Sequence, residues 1–267
     1  MIRLEKITKA FGEQVVFQDL DLTVEKGKTT VILGPSGTGK SVLLKHIVGL
    51  LRPDSGRIYL EGRDITDLAG REREALMHRF GFVFQGAALF DSMNVFDNLA
   101  FGLRENHLCP ESEIPERVAR ELARVELPGI EEKMPSERSG GMQKRVGLAR
   151  ATIMEPEIIL YDEPTTGLDP LTTVHINRLI VRAKEELDST VVIVTHDVKS
   201  ALEMADFIAF LDRGRVVAQG TPEEVCRNPN PRLQEFLNAR GDVCHDLGRA
   251  RLATPAAGGP RADGRER

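Results

Sequence analysis

The sequence predicts an α/β fold: a largely parallel sheet covered by helices, with an antiparallel β portion at the N-terminus and an inserted helical subdomain. Three observations predict it. Short apolar runs at Thr29–Leu33, Ile158–Tyr161 and Thr190–Thr195 alternate with stretches of helical spacing, the pattern of strand–helix units. The first run leads through Gly34-Pro35-Ser36-Gly37-Thr38-Gly39-Lys40-Ser41 into the apolar stretch Val42–Val48, so strand, glycine loop and helix follow one another. From about Ser92 to Ala151 apolar residues recur at helical spacing only.

Ile2, Leu4 and Ile7, then Leu20, Leu22 and Val24, fall at strand-like intervals and read as half-buried antiparallel strands. Glu25-Lys26-Gly27 turns the chain into the buried strand Thr29–Leu33, and the helix after the glycine loop runs to about Leu50. Arg52-Pro53-Asp54-Ser55-Gly56 is a turn signal. A strand at Ile58–Leu60, closed by Glu61-Gly62, and a short strand at Gly81–Phe84, ending at Gln85, come next. In the insert, Val95, Phe96, Leu99 and Leu103, then Val118, Leu122 and Val125, mark helices. A helix around Val174–Leu187 separates the strands Ile158–Tyr161 and Thr190–Thr195. Asp206–Leu211 and Arg215–Gln219 flank Asp212-Arg213-Gly214 as a hairpin. Thr254–Pro260 lacks apolar periodicity, and Arg249 onward reads as a flexible tail. The organisation is one domain over 1–240, with its helical subdomain at about 92–151, and a C-terminal extension over 241–267. No internal repeat is visible.

Composition sets limits. The chain has 267 residues, 41% of them hydrophobic, enough for a sizeable core. A net charge of −5 argues against direct nucleic-acid binding, which favours basic surfaces. Cys109, Cys226 and Cys244 are odd in number and far apart, so neither a disulfide framework nor a zinc site is signalled, and reduced cysteines are expected. The N-terminus has no signal-peptide apolar region, and no apolar stretch is long enough to span a bilayer. If the chain serves transport, another chain supplies the membrane path.

The spacing G-x-x-x-x-G-K-[ST] is that of a phosphate-binding loop. Glycines let successive backbone N–H groups turn toward phosphate oxygens, and the following helix points its positive end at the same anion. Lys40 is placed to reach the β- and γ-phosphates, and the Ser41 hydroxyl to ligate Mg²⁺. Other residues stand at strand ends, where phosphate sites in such sheets lie. Asp162 would hold the metal and Glu163 would polarise the attacking water. Gln85 would sense Mg²⁺ and the γ-phosphate; His196 is a candidate γ-phosphate contact, though a histidine there also reads as a packing or capping residue. Ser139-Gly140-Gly141 opens a helix and reads either as a second anion site or as an ordinary N-cap. Thr166-Gly167-Leu168-Asp169 leads into another helix. One nucleotide needs only the first helix start. A head-to-tail pair of chains uses both, each chain's second site closing over its partner's nucleotide.

Together these ordered motifs resemble the ATP-binding-cassette (ABC) ATPases over roughly residues 2–240. The resemblance assigns Walker A to Gly34–Ser41, the Q-loop to Gln85, the signature to Ser139-Gly140-Gly141, Walker B to Ile158–Asp162 with Glu163, the D-loop to Gly167-Leu168-Asp169 and the switch histidine to His196. It implies a RecA-like P-loop core, ATP and Mg²⁺ as ligands, and a homodimer. It places Phe11 where the family stacks an aromatic on adenine, although a core aromatic is the alternative. Arg138 and Met142 stand where the common signature has Leu and Gln, so Met142 lacks the polar ribose contact expected of Gln.

Those departures, with Phe84–Met93, Met134–Arg145 and Lys40–His46, resemble the ATPase branch of the Mla phospholipid transporters. That resemblance implies an MlaE-type integral-membrane permease, an Mce-domain lipid-binding protein and a peripheral place on the cytoplasmic face of the inner membrane. The alternatives are the ATPase of an importer for a small polar solute, or a soluble ABC protein outside transport. The chain has one cassette, no long heptad insert and no zinc-type cysteine cluster, which speaks against the last. The loop Ala87–Met93 is apolar, with Leu89, Phe90 and Met93 beside Gln85; it reads either as core of the helical subdomain or as a groove for a permease helix.

Overall fold

Residues 1–239 and residue 244 are described by a computed structural model, in which the apolar runs become two sheets. The first is antiparallel, in the order β2 (Gln14–Val24), β1 (Ile2–Phe11), β4 (Ser55–Leu60) and β5 (Arg63–Asp64). The second runs β10 (Arg215–Gly220), β9 (Phe207–Asp212), β3 (Thr29–Leu33), β8 (Thr190–Thr195), β7 (Ile158–Asp162) and β6 (Phe80–Val83). Every pairing in it is parallel except the β9–β10 hairpin, whose turn takes Arg213 and Gly214 at positive φ.

The central strands are buried on both faces, so their apolar runs are continuous. Alternate residues feed two cores. Leu160, Val192 and Val194 pack with the antiparallel sheet and with Leu43 and Leu44 of α1 (Lys40–Ile47). Ile159, Tyr161, Val191 and Ile193 pack toward the helical insert. That insert comprises α3 (Val95–Glu105), α4 (Ile114–Arg124) and α5 (Gly140–Thr152), following α2 (Gly70–Met77). Its apolar faces, Val95, Leu99, Leu103, Val118 and Leu122, are the residues whose helical spacing marks them in the sequence. Asn94 caps α3 by accepting from Asp97 N at 2.8 Å. The buried Asn98 exchanges hydrogen bonds with the main chain of Phe90, which fixes the loop after β6 to the insert. After β7 come α6 (Pro170–Leu187) and α7 (Val198–Met204), and beyond the hairpin α8 (Pro222–Arg227) and α9 (Pro231–Asn238).

One expectation is corrected. Cys226 and Cys244 form a disulfide with Cα atoms 5.7 Å apart, and Cys109 is free. Cys226 and Cys244 are 18 residues apart, so nothing local in the sequence shows that the chain brings them together. The expectation of a flexible tail from Arg249 lies outside the described residues.

His46 on α1 yields a prediction about stability. It is fully buried, its Nδ1 lies 2.7 Å from Val42 O, and Phe17 meets the ring edge-on at 5.8 Å. Burial pushes its pKa down, with Lys9 adding to that and the main-chain bonds opposing it. The folded state therefore takes up a proton less readily than the unfolded chain. The stability held by the neutral ring is present above the ordinary histidine pKa of about 6.5 and lost as pH falls below it. The urea midpoint of the wild type should drop between about pH 7.5 and pH 5.5 more steeply than that of His46→Phe. Parallel slopes would remove His46 from this account.

Candidate functional site

β3 carries the chain from its buried apolar run into the glycine loop. Gly34 passes so close to β9 that a Cβ would lie 2.3 Å from Leu211 O. Gly39 has φ 94°, and a Cβ there would meet Val16 at 2.6 Å and Phe17 at 2.9 Å. Only glycine fits either place. No side chain caps α1, which leaves its opening N–H groups turned to the loop for an anion. Lys40 Nζ donates to the carbonyls of Gly34 at 2.9 Å and Pro35 at 3.0 Å and lies 3.4 Å from Glu163 Oε1. Burial lowers its pKa, against the pull of Glu163. Thr38 closes the loop by donating to Pro35 O at 2.9 Å.

The ends of β7 and β8 bring the predicted acids and histidine to this loop. Ser41 Oγ donates to Asp162 Oδ1 at 2.7 Å. Burial raises the Asp162 pKa, so a carboxylate held there gains from a cation. Glu163 sits in the left-handed region at φ 47°, with its N–H donating to Val194 O at 2.9 Å. Such a conformation in a non-glycine residue costs energy and is held by its surroundings. Glu163 Oε2 accepts from Thr166 Oγ1 at 3.1 Å, Thr195 Oγ1 at 3.3 Å and His196 Nδ1 at 2.9 Å. A carboxylate oriented by a histidine and two hydroxyls is a candidate general base with its geometry fixed in advance. A cleft of about 500 Å³ is lined by Ser36, Gly37, Gly39, Lys40, Ser41, Gln85, Glu163 and His196, and by Phe11, whose ring is half exposed beneath Lys9 Nζ at 5.3 Å. Sequence reasoning missed Thr166 and Thr195, whose hydroxyls are placed only by the fold, and Lys144. The Lys144 ammonium is buried and donates to the carbonyls of Gln85 and Glu163.

Ser139, Gly140, Gly141 and Asp169 do not line that cleft. They line a separate one of about 510 Å³ with Met142, Leu171 and His175. Ser139 Oγ caps α5 by accepting from Met142 N at 3.3 Å. Asp169 caps α6, accepting from Leu171 N and Thr172 N at 3.0 Å each, and from the Thr172 hydroxyl at 2.6 Å. These bonds hold its carboxyl below the usual range, the Thr172 side chain foremost. Leu171, beside it, is 85% exposed.

Residues 17–166, from β2 through the strand-end acids and Thr166, match the ABC transporter family. The chain belongs to that family. It is an ABC-type ATPase cassette. It is 45% identical over 239 residues to the "probable ribonucleotide transport ATP-binding protein mkl" of Mycobacterium tuberculosis, covering 90% of this chain and 67% of that protein. It is 41% identical over 242 residues to the "intermembrane phospholipid transport system ATP-binding protein MlaF" of Haemophilus influenzae, covering 91% and 92% respectively. Among solved structures, the cassette MJ0796, a dimer in a post-hydrolysis state bound to ADP and Pi, superposes with a TM-score of 0.76 at 32% identity, covering 83% of this chain and 99% of that one. The cbiO1 cassette from Clostridium perfringens gives 0.77 at 31% identity, over 92% and 98%. The antiparallel sheet, parallel core and helical subdomain are thus those of an ABC ATPase.

Proposed function

We propose that this chain is the ATP-hydrolysing subunit of a phospholipid transporter, acting through a separate membrane permease with an Mce-type lipid-binding partner. The observation that carries the reading is the likeness to MlaF over 91% of this chain and 92% of the relative. The signature variant Arg138-Ser139-Gly140-Gly141-Met142, noted from the sequence, supports it. Among the described residues no helix is long and apolar enough to cross a membrane, which fits a subunit that sits on the cytoplasmic face and leaves the lipid path to its partner.

The residues present fit Mg²⁺-ATP. The donor set of Ser41 and the buried Asp162 suits a hard cation, with Gln85 close by on the same cleft. When bound, Mg²⁺ would offset negative charge on the β- and γ-phosphates. The chain's own residues do the rest. Phe11 offers a face for the adenine, and the loop from Gly34 to Gly39 presents N–H groups to the phosphates. Lys40 releases the Gly34 and Pro35 carbonyls to take up a phosphate oxygen. Glu163 accepts a proton from the attacking water, and His196 holds that carboxylate in line from Nδ1. Ser139, Gly140 and Gly141 act on the nucleotide of a second copy, because their cleft lies apart from Lys40 in one chain. Asp169 shapes that contact by fixing the start of α6.

Phe90 is 41% exposed and Phe101 38%, with ring centroids 5.0 Å apart. This half-open aromatic pair, Phe90 from the loop that follows Gln85 and Phe101 from α3, is the proposed seat of a permease helix. Phe90→Asp should weaken capture of the permease from native membranes while ATP binding by the purified chain stays unchanged. Full capture would remove the seat, and loss of ATP binding would make Phe90 part of the core. The substrate is tested with the captured complex in vesicles. ATP-driven movement of labelled phospholipid, abolished by Glu163→Gln, is expected. Ribonucleotide uptake instead would follow the mkl name and overturn the lipid reading.

A further inference from the structure

Two cations of α5 make main-chain bonds along one loop. Lys144, 9% exposed, donates to the carbonyl of Gln85 and, at 3.4 Å, to that of Glu163. Arg150 donates through Nη1 to Ala88 O at 2.6 Å and through Nη2 to Ala87 O at 3.0 Å, and its guanidinium lies 5.7 Å from the Phe90 ring centroid. Between them Gly147 faces the same loop, where an added Cβ would come within 3.0 Å of Ala87 Cβ. Positions 144, 147 and 150 share a helix face. The loop they hold is unusual: Ala87 at φ 61° and Ala88 at φ 48° are consecutive non-glycine residues in the left-handed region. Burying a cation is costly, and doing so to bond carbonyls fixes those carbonyls in place. Strain of this kind persists only where the surroundings hold it, so the loop's conformation depends on where α5 sits.

We propose that the Lys144–Gly147–Arg150 face of α5 is a positioning element that couples the signature end of the helix to Gln85 and Phe90 of the same chain. α5 begins at the Ser139 cap, where the partner's nucleotide is proposed to bind. A rigid helix displaced at that end drags the Gln85–Phe90 loop with it, because the loop's carbonyls are bonded to the helix. Occupancy of one nucleotide site thereby reaches the sensor of the other and the proposed permease seat. The inference rests on reading Gln85 as the γ-phosphate sensor.

The chain has no tryptophan, so Phe90→Trp supplies a single reporter. In the Glu163→Gln background, reporter fluorescence should change with saturating Mg²⁺-ATP and not with ADP. Lys144→Met and Arg150→Met should each cut that change about tenfold while affinity for a fluorescent ATP analogue stays within about twofold. Lys144→Arg should restore it, since a second cation reaches the same carbonyls. If a Met variant fails to fold, Arg150→Lys carries the test, because it keeps the charge and loses the two-carbonyl fork. An undiminished response in the folded variants overturns the proposal. So does a response lost in step with ATP affinity, which marks a merely structural role. A parent reporter blind to ATP refutes the sensor reading itself, and the proposal with it.

Discussion

Glu163→Gln should bind ATP and turn it over at least about a hundredfold more slowly than the wild type. The amide keeps the size and planarity of the carboxylate. It still accepts from Thr166, Thr195 and His196, whose bonds converge on one oxygen. It cannot take a proton from water. The substitution also removes the negative charge 3.4 Å from Lys40, so the site becomes more hospitable to phosphate. The variant should accumulate as an ATP-bound dimer, read by size-exclusion chromatography with nucleotide content, beside steady-state hydrolysis. Near-normal turnover would falsify the assignment of Glu163 as base.

Lys40→Met should lower ATP affinity by about one to two orders of magnitude. A hydrogen bond to a charged group is worth about 1.5–3 kcal/mol, and each 1.4 kcal/mol is a factor of ten in affinity. The side chain is 6% exposed and its ammonium is satisfied by two loop carbonyls and Glu163. Removing one member of a buried pair costs stability as well as affinity, so circular dichroism alongside the titration checks that the variant is folded. What it leaves behind is Glu163 facing the incoming phosphates with no cation between them. Glu163→Gln should then raise ATP affinity more in the Lys40→Met chain than in the wild type, a coupling that distinguishes a charge effect from a broken loop. Calorimetric titration of the three variants reads it. Single effects that simply add in the double variant would contradict the charge pairing at 3.4 Å.

Much of this was legible from residues. The runs Thr29–Leu33 and Thr190–Thr195 are strands β3 and β8 with the predicted bounds, because a parallel sheet buried on both faces needs unbroken apolar sequence. Lys40, Ser41, Gln85, Glu163 and His196 converge on one cleft, since each follows a strand of the same sheet or opens the helix after it. The elements missed are short or weakly patterned. The strand β5 is two residues long, and α2 buries only Leu76. For α8 and α9 the signals existed: Thr221-Pro222-Glu223-Glu224 is a capping box with proline at the first turn, and Asn230 caps Pro231 onward. The Cys226–Cys244 pair and the Lys144 bonds to Gln85 and Glu163 were illegible for a different reason. They depend on which segments the fold brings together, and no spacing encodes that. Ser139, which reads either as an anion site or as an N-cap, caps α5, and Asp169 of the D-loop caps α6.

Each nucleotide site is proposed to be shared between two copies. In one chain Gly141 lies in the cleft beside Leu171 and Thr172, apart from the cleft of Lys40. Two differently tagged copies, purified as a mixed dimer, test it. With Lys40→Met in one copy and Gly141→Asp in the other, both changes fall on the same composite site and the opposite site stays whole. With both changes in one copy beside a wild-type partner, both sites are damaged. ATP trapped per dimer in the Glu163→Gln background should be about one nucleotide for the first arrangement and close to none for the second. Equal trapping in the two arrangements would contradict the shared site.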